Sequence, residues 1–290
     1  MNNIKNKFSL KNLTFLFIAL IAFSVGGVKA SEKRAVNDKE LLILSMLAYS
    51  DYPTEKGKSD CSVTEIWEES FADVAINCWE GNRDLVKNMD GWFVYDYDIN
   101  TGEDLFGEKG FSVISFKKDN NIVVAFRGTD QGLFFENWKY IIPYTEHPQS
   151  VYVSAYLGKL KQKGKLNGDV NVYFTGHSLG GYLALYATGL FLSDNNFKRK
   201  FVRTATFNGL GIGFTDGYKV RKNLSKLNDD QLVNYRIDGD AVSRMGRHFK
   251  NVVTIKFTYI NSNWSKVFAW TQAPHLITQF FFSGYFDKVS

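Results

Sequence analysis

The chain has 290 residues and a formal charge of +5, with 44% hydrophobic and 22% charged residues. This composition is ordinary for a globular fold, so global disorder and collagen-like or low-complexity structure are excluded. The aromatic share of 16% predicts a bulky core or an apolar binding surface.

The amino-terminal segment has the pattern of a secretory signal peptide. Three lysines come before an apolar run over 13–28, and small residues at the key positions of 28–30 resemble a cleavage site. We therefore expect residues 1–30 to be removed, and residues 31–290 to form a single domain that is periplasmic or secreted. The alternative is an uncleaved transmembrane anchor, for which the apolar run is short.

The positive charge of the chain belongs to that segment. Residues 1–30 hold four lysines and no acidic residue, which leaves 31 basic and 30 acidic residues in the remainder. No Lys/Arg-rich block remains that would be typical of a nucleic-acid-binding protein, so we expect no nucleic-acid partner. The sequence makes no prediction of the oligomeric state.

The cysteines and histidines of the chain limit which disulfides and metal sites it can form. In an exported protein, the pair Cys61 and Cys78 predicts a disulfide, and two buried thiols are the alternative. The chain has only four histidines and contains neither a C-x-x-C nor an H-E-x-x-H motif. We therefore expect no metal site and no cofactor.

Helix and strand signals alternate along the chain. Asn37 and Glu40 form a capping-box pattern before a helix over Leu41–Tyr49. Residues 50–110 carry turn signals without a clear order of elements. Two strands, Ser112–Phe116 and Ile122–Phe126, enclose turn residues and predict a hairpin.

The second half of the chain predicts an α/β sheet. A strand over Val170–Thr175 is followed by a nearly uncharged helix over Leu179–Leu192, which we expect to be buried. Further strands are predicted over Arg203–Phe207, Val233–Ile237 and Val252–Tyr259. Strands separated by helical segments favour parallel core strands with helices on the faces of the sheet.

The junction of that strand and helix contains the motif G-x-S-x-G over 176–180. This motif is typical of a nucleophile elbow, in which a serine occupies a strained turn between strand and helix. Side chains at Gly176 and Gly180 would collide with the neighbouring strand and helix, and the N–H of Leu179 is available to an oxyanion. The alternative is a glycine-rich strand–helix turn in which Ser178 has no catalytic role.

A serine hydroxyl needs a base, and the base needs an acid to hold it. Only His248 and His275 follow Ser178 in the chain, and Asp238 and Asp240 follow a predicted strand. The acid and the base should leave successive strand ends, so His275 fits, whereas His248 is otherwise a solvated loop histidine. Asp238 is otherwise a turn residue.

Several segments in this order resemble the class 3 lipases, a family of α/β-hydrolases. They are GHSLGG over 176–181, IVVAFRGT over 122–129, the pair Asn137-Trp138, the D-x-V motif over 240–242 and the late His275. The resemblance implies an α/β-hydrolase fold with a mostly parallel central sheet. It also implies a serine hydrolase that cleaves carboxylic esters.

The resemblance assigns roles to individual residues. It implies Ser178 as nucleophile, His275 as base and Asp240 as acid, with the N–H groups of Leu179 and Thr129 forming the oxyanion hole. The family's T-F-G-x-P-R-x-G segment lacks its Pro and Arg here, and the acid motif lacks its usual Pro. The family's triacylglycerol specificity is therefore not carried over.

Aromatic clusters suggest the substrate class. Residues 133–135 lie where related lipases carry a lid, and Phe268, Trp270 and residues 280–282 lie close to His275 in sequence. If these residues are exposed, they form an apolar mouth that favours a glycerolipid or phospholipid ester at a membrane or micelle surface, and if they are buried, they are simply part of the core. The alternatives are a soluble-ester esterase, an acyltransferase with the same triad, or a non-enzymatic binding or toxin-like domain.

Overall fold

A seven-stranded sheet runs through the part of the chain that the computed structural model describes. The described residues are 35–50, 61–70, 89–99, 110–129, 146–256, 280 and 285. In chain order the strands are β1 (Phe93–Ile99), β2 (Ser112–Lys118), β3 (Asn121–Phe126), β4 (Asn171–His177), β5 (Phe201–Phe207), β6 (Leu232–Ile237) and β7 (Asn251–Ile255).

The strands lie in the sheet in the order in which they occur in the chain. β1 pairs with β2, and β2 with β3, in antiparallel fashion, while the pairs from β3 to β7 are all parallel. The carboxyl ends of β3 to β7 therefore meet at one edge of the sheet. This arrangement confirms the predicted parallel core strands.

Five α-helices accompany the sheet within the described residues. They are α1 (Asp38–Leu47), α2 (Val63–Ser70), α3 (Ser150–Gln162), α4 (Leu179–Phe191) and α5 (Tyr218–Lys226). The start of α1 confirms the predicted capping box. The Glu40 N–H donates to Asn37 Oδ1 at 2.9 Å, and the Asn37 N–H donates to Glu40 Oε2 at 3.0 Å.

Helix α4 lies at the centre of the core. It follows β4 directly and packs on β3, β4 and β5, and nearly all of its residues are buried, as predicted. Glycine inside a helix costs about 1 kcal/mol against alanine. At Gly189 the absence of a side chain allows α4 and α5 to pack closely, since a Cβ there would lie 2.6 Å from the Cγ1 of Val220 in α5.

The predicted β2–β3 hairpin is confirmed, with strands that extend to Lys118 and Asn121. Its turn includes Asp119, which has a φ of 53°. Strand β1 and helix α2 fall in the segment 50–110, for which no order of elements was predicted, and helices α3 and α5 were not predicted. Helix α5 shows the signal that was missed, because its buried residues Val220 and Leu224 have helical spacing.

Some predictions fall outside the described residues. The signal peptide over 1–30 and Cys78 are among them, so the export and the disulfide stay predictions. Cys61 is buried, with 2% of its surface exposed. The described residues from 37 onward belong to one compact unit. No helix in the described ranges combines the length and the apolar character that crossing a membrane would require.

Candidate active site

The turn between β4 and α4 holds Ser178 in a rare backbone conformation, with φ 58° and ψ −127°. Residues other than glycine rarely adopt a positive φ, and backbone strain of this kind costs about 1–3 kcal/mol. Main-chain hydrogen bonds hold the turn in place. The Ser178 N–H donates to the Phe207 carbonyl at 3.1 Å, and the Ser178 carbonyl accepts from Gly181 and Leu210 at 3.0 and 3.1 Å.

Glycines surround this turn because there is no room for a Cβ atom. A Cβ on Gly176 would overlap the carbonyl oxygen of Gly180, and one on Gly180 would overlap the carbonyl oxygen of Phe126 at the end of β3. A Cβ on Gly181 would come within 2.5 Å of the Gly209 Cα. The glycines of the motif thus let β3, β4 and α4 approach each other at the serine.

Two main-chain segments with amide hydrogens lie beside the serine. Leu179 is the first residue of α4, so its N–H has no partner within the helix and lies at the positive end of the helix dipole. The chain leaving β3 also contacts the turn, because a Cβ on Gly128 would lie 3.0 Å from the Ser178 Cβ. Thr129 is the next residue of that segment.

Of the two candidate acids, Asp240 is the buried one. Asp240 is 2% exposed, and its carboxylate accepts N–H groups from Val242 at 3.2 Å and from Ser243 at 3.0 Å. The side chain of Asp238 is 63% exposed and pairs with Arg244 at 3.0 Å. Both follow β6 at the carboxyl edge of the sheet, but only Asp240 is directed inward and fixed by main-chain donors.

His248 does not have the contacts of a catalytic base. Within the described residues, its ring nitrogens make no hydrogen bond to Asp240 or Ser178. Both nitrogens are buried, which shows that the alternative of a solvated loop histidine is wrong. Burial, and after it the charge of Arg236, lowers the pKa of the His248 imidazole. His275 lies outside the described residues.

Sequence reasoning missed a tyrosine beside the nucleophile turn. The Tyr49 hydroxyl, just after α1, lies 2.8 Å from Nδ1 of His177, the residue before Ser178. The same hydroxyl fills the space next to Gly128, where a Cβ would lie 2.5 Å from it. Tyr49 lies 128 residues before its partner in the chain, and no local pattern marks it.

The loop after β5 carries the departures from the lipase pattern. Asn208, at a family glycine position, has a φ of 45°, and its side-chain oxygen accepts the Ile237 N–H at 2.8 Å. Asparagine tolerates this conformation better than most residues. Further along, Asp216 is fully buried and accepts a hydrogen bond from the Tyr182 hydroxyl at 2.7 Å. Burial raises the pKa of the Asp216 carboxyl.

The described residues contain no cluster of His, Cys, Asp or Glu side chains that could hold a metal ion. The polar groups around the turn include main-chain amides, the His177 imidazole and the Tyr49 hydroxyl, and the buried carboxylate of Asp240 follows β6 at the same edge of the sheet. This set suits stabilisation of a developing negative charge and orientation of a base, which is the chemistry of acyl transfer.

A family model described as Mbeg1-like matches residues 94–237, a range that includes Ser178 and ends before Asp240. No match was found among the curated proteins.

Solved structures of similar shape include lipases. The crystal structure of a fungal lipase is 14% identical, with 80% of this chain and 84% of that chain covered and a TM-score of 0.52. A lipase from Rhizopus microsporus var. chinensis is 18% identical over 71% of this chain and 68% of that chain, with a TM-score of 0.44. The Lip2 lipase from Yarrowia lipolytica is 17% identical over 62% of this chain and 70% of that chain, with a TM-score of 0.45.

At these identities the likeness concerns the fold alone, and only the first of these three structures has a TM-score above 0.5. It confirms the predicted fold class, an α/β-hydrolase fold with a mostly parallel central sheet flanked by helices. The chain thus has a class 3 lipase-like fold.

Proposed function

We propose that the chain is a serine hydrolase that cleaves carboxylic esters of lipids through an acyl-enzyme on Ser178. The observation that carries the proposal is the conformation of that residue. A serine with a φ of 58° lies where a buried strand meets a buried helix, with glycines packed on both sides. Such strain persists only where the surrounding structure enforces it, and it is concentrated at functional sites.

The acid of the proposed triad is Asp240. Its carboxylate is buried and held by two main-chain N–H groups at the same edge of the sheet as Ser178. β6, which precedes it, is separated from β4 in the sheet by β5 alone. The exposed Asp238 lacks the environment that would keep a carboxylate oriented away from water.

The base of the proposed triad is His275. Support comes from Phe280, five residues later in the chain, which is fully buried and packs edge-on against Phe207 with ring centres 5.4 Å apart. The carbonyl of Phe207 accepts the Ser178 N–H. Five residues of chain span at most about 18 Å, so a base at position 275 is compatible with the position of Phe280.

The proposed reaction is acyl transfer to water. His275 accepts the proton of the Ser178 hydroxyl as its oxygen attacks the ester carbonyl, and Asp240 stabilises the imidazolium that forms. The N–H groups of Leu179 and Thr129 bind the oxyanion, and one such donor contributes about 3–4 kcal/mol in the transition state. The alcohol leaves with the proton from His275, and water then releases the acid. The reaction needs no cofactor.

The substrate is proposed to be a glycerolipid or phospholipid ester at a membrane or micelle surface. The aromatic residues that follow the oxyanion segment and those near His275 in sequence are proposed to line the site for an acyl chain. Phe280 is not one of them, because it is fully buried against Phe207. The leader over 1–30 is proposed to direct export, so that the hydrolase acts in the periplasm or outside the cell. We therefore expect a clear preference for long-chain over short-chain esters.

The test is hydrolysis of an acyl-chain series by the chain and by its Ser178→Ala variant. Loss of the nucleophile is expected to lower kcat by at least about a thousandfold, because the residues of a triad act as a unit. The exposed Ser225→Ala in α5 is the matched control and should leave kcat unchanged. Retained turnover in Ser178→Ala would end the proposal, and a preference for acetyl or butyryl esters would replace the lipid substrate by soluble esters.

A further inference from the structure

The carboxyl end of α1 places a tyrosine side chain against the nucleophile turn. The Tyr49 N–H donates to the Met46 carbonyl at 3.1 Å, so the backbone still turns as a helix just after α1. The Tyr49 hydroxyl lies 2.8 Å from Nδ1 of His177, and the two ring planes are tilted by 56°. Because His177 directly precedes Ser178, this hydrogen bond holds the side chain next to the proposed nucleophile.

The same hydroxyl contacts the chain that leaves β3. A Cβ on Gly128 would lie 2.5 Å from the Tyr49 hydroxyl, 2.6 Å from the His177 carbonyl oxygen and 3.0 Å from the Ser178 Cβ. Gly128 is therefore packed against both the hydroxyl and the nucleophile turn. The next residue, Thr129, is a proposed oxyanion donor. One hydroxyl thus contacts the two segments from which the oxyanion hole is proposed to be built.

Helix α1 is anchored to the sheet independently of this tyrosine. At its start, Arg203 donates to the carboxylate of Asp38 at 2.7 and 2.6 Å. In its middle, the Leu41 carbonyl accepts the hydroxyl of Thr175 in β4 at 3.1 Å. Most residues of α1 are buried. Removal of the Tyr49 hydroxyl should therefore leave α1 in place and change the contacts at the turn alone.

The strained backbone of the turn depends on such contacts. The φ of 58° at Ser178 persists only because the surroundings enforce it. The main-chain hydrogen bonds of Ser178 lead to the end of β5, to the following loop and to α4, whereas the Tyr49 hydroxyl joins the turn to the chain after β3. The phenol donates to Nδ1 when that nitrogen carries no proton and accepts from it otherwise, and either direction holds the imidazole.

We propose that Tyr49 is a positioning residue of the hydrolase. Its hydroxyl holds the His177 imidazole and the segment at Gly128 so that the amide donors of the oxyanion hole meet the acyl carbonyl at Ser178. This role rests on the proposed function, since it concerns the same site. The oxyanion forms only in the transition state, so the loss of this positioning lowers kcat and leaves KM nearly unchanged.

The test is steady-state hydrolysis of the preferred p-nitrophenyl ester by Tyr49→Phe, which removes the hydroxyl and keeps the ring. A misplacement of about 1 Å costs about a hundredfold in rate, so we expect kcat to fall about tenfold to a hundredfold. KM should change by less than about twofold. A trifluoromethyl ketone forms an oxyanion adduct on a reactive serine, and its inhibition constant should rise by the factor by which kcat/KM falls.

The matched control removes a tyrosine hydroxyl from the core. Tyr156 in α3 is 1% exposed, and its hydroxyl is 2.7 Å from the hydroxyl of Ser115 in β2. Tyr156→Phe should lower the Tm by about 2–4 °C and leave kcat unchanged. Tyr49→Phe should lower the Tm by no more than this. A loss of stability alone would therefore not explain its lower kcat.

A double-mutant cycle tests whether Tyr49 acts through the imidazole. His177→Ala removes the hydrogen-bond partner, so adding Tyr49→Phe to it should lower kcat by less than about a further twofold. His177→Asn keeps a hydrogen-bonding group near the position of Nδ1. It should retain more activity than His177→Ala in the unsubstituted chain, and this advantage should disappear in the Tyr49→Phe background.

Three results would overturn the role of Tyr49. They are an unchanged kcat in Tyr49→Phe, an equal loss of kcat in Tyr156→Phe, and an undiminished effect of Tyr49→Phe in the His177→Ala background. In each of these cases, loss of turnover in Ser178→Ala would still support the proposed function. Turnover that persists in Ser178→Ala would instead overturn the proposed function, and the role of Tyr49 with it.

Discussion

The turn at Ser178 and the ion cluster around Arg203 lie in the same sheet and are held together in different ways. Ser178 lies beyond the carboxyl end of β4 and is held by main-chain hydrogen bonds among glycines that have no space for a Cβ. Arg203 lies near the amino end of β5, where its guanidinium donates to both carboxylate oxygens of Asp38 at 2.7 and 2.6 Å. The Tyr235 hydroxyl donates to the same carboxylate.

The difference separates positions that cost stability from positions that provide it. The Ser178 conformation is unfavourable in itself and is kept by steric exclusion, which leaves the serine available for chemistry. The Asp38 carboxylate lies at the start of α1, where the helix dipole favours a negative charge, and Arg203 is its bidentate partner. Substitutions at the two regions should therefore shift stability in different ways.

The largest effect is expected at Gly180, whose added methyl group would overlap the Phe126 carbonyl. Gly180→Ala should lower the free energy of unfolding by about 3 kcal/mol, the upper end for overpacking. Gly158→Ala in α3 is the matched control, since no atom lies within 4 Å of its added Cβ, and it should raise stability by up to about 1 kcal/mol. Urea denaturation measures both, and equal effects would contradict steric exclusion at the turn.

A smaller effect is expected at the ion cluster. Arg203→Leu leaves the Asp38 carboxylate without its bidentate partner. The loss is costly because the side chain of Asp38 is only 16% exposed. The expected loss is about 2 kcal/mol, between the values for exposed and for buried pairs. Arg244→Leu removes the exposed pair with Asp238 and should change the free energy of unfolding by less than about 0.5 kcal/mol. A loss of the same size at both positions would show that burial does not distinguish them.

The smallest effect should have the opposite sign. Ser178→Gly relieves the positive φ and is expected to raise the free energy of unfolding by about 1 kcal/mol while hydrolysis is lost. Asp119→Gly relieves a φ of 53° in the β2–β3 turn, and it should raise stability without any loss of hydrolysis. Thermal unfolding of the two variants checks this, and a destabilised Ser178→Gly would show that the serine conformation is not strained.

The sequence predicts the centre of the molecule better than its surroundings. The capping box at Asn37 and the apolar strand and helix around Ser178 are local patterns, and each was found at or within a few residues of its predicted place. Asp240 and Asp238 lie in the same turn, and only burial distinguishes them, so local pattern cannot choose between the two. The Tyr49 hydroxyl reaches His177 from a distant helix, which is a property of the folded chain alone.

Three of the elements that were not predicted have identifiable causes. Strand β1 contains Asp96, a buried carboxylate that its lysine partners make tolerable but that is unusual in a strand. Helix α3 contains Val151, Val153 and Gly158, which have low helix propensity, and tertiary packing overrides that preference. Helix α5 is dominated by charged and polar residues, and its narrow apolar stripe was not recognised.

The most direct test of the central claim is mass spectrometry of the chain after treatment with a fluorophosphonate, which locates the modified residue. The account predicts an adduct on Ser178 that forms with the unsubstituted chain and not with His275→Ala, because the serine needs its base to react. An adduct on a different serine, or no adduct on a chain that hydrolyses esters, would contradict the assignment of Ser178 as the nucleophile.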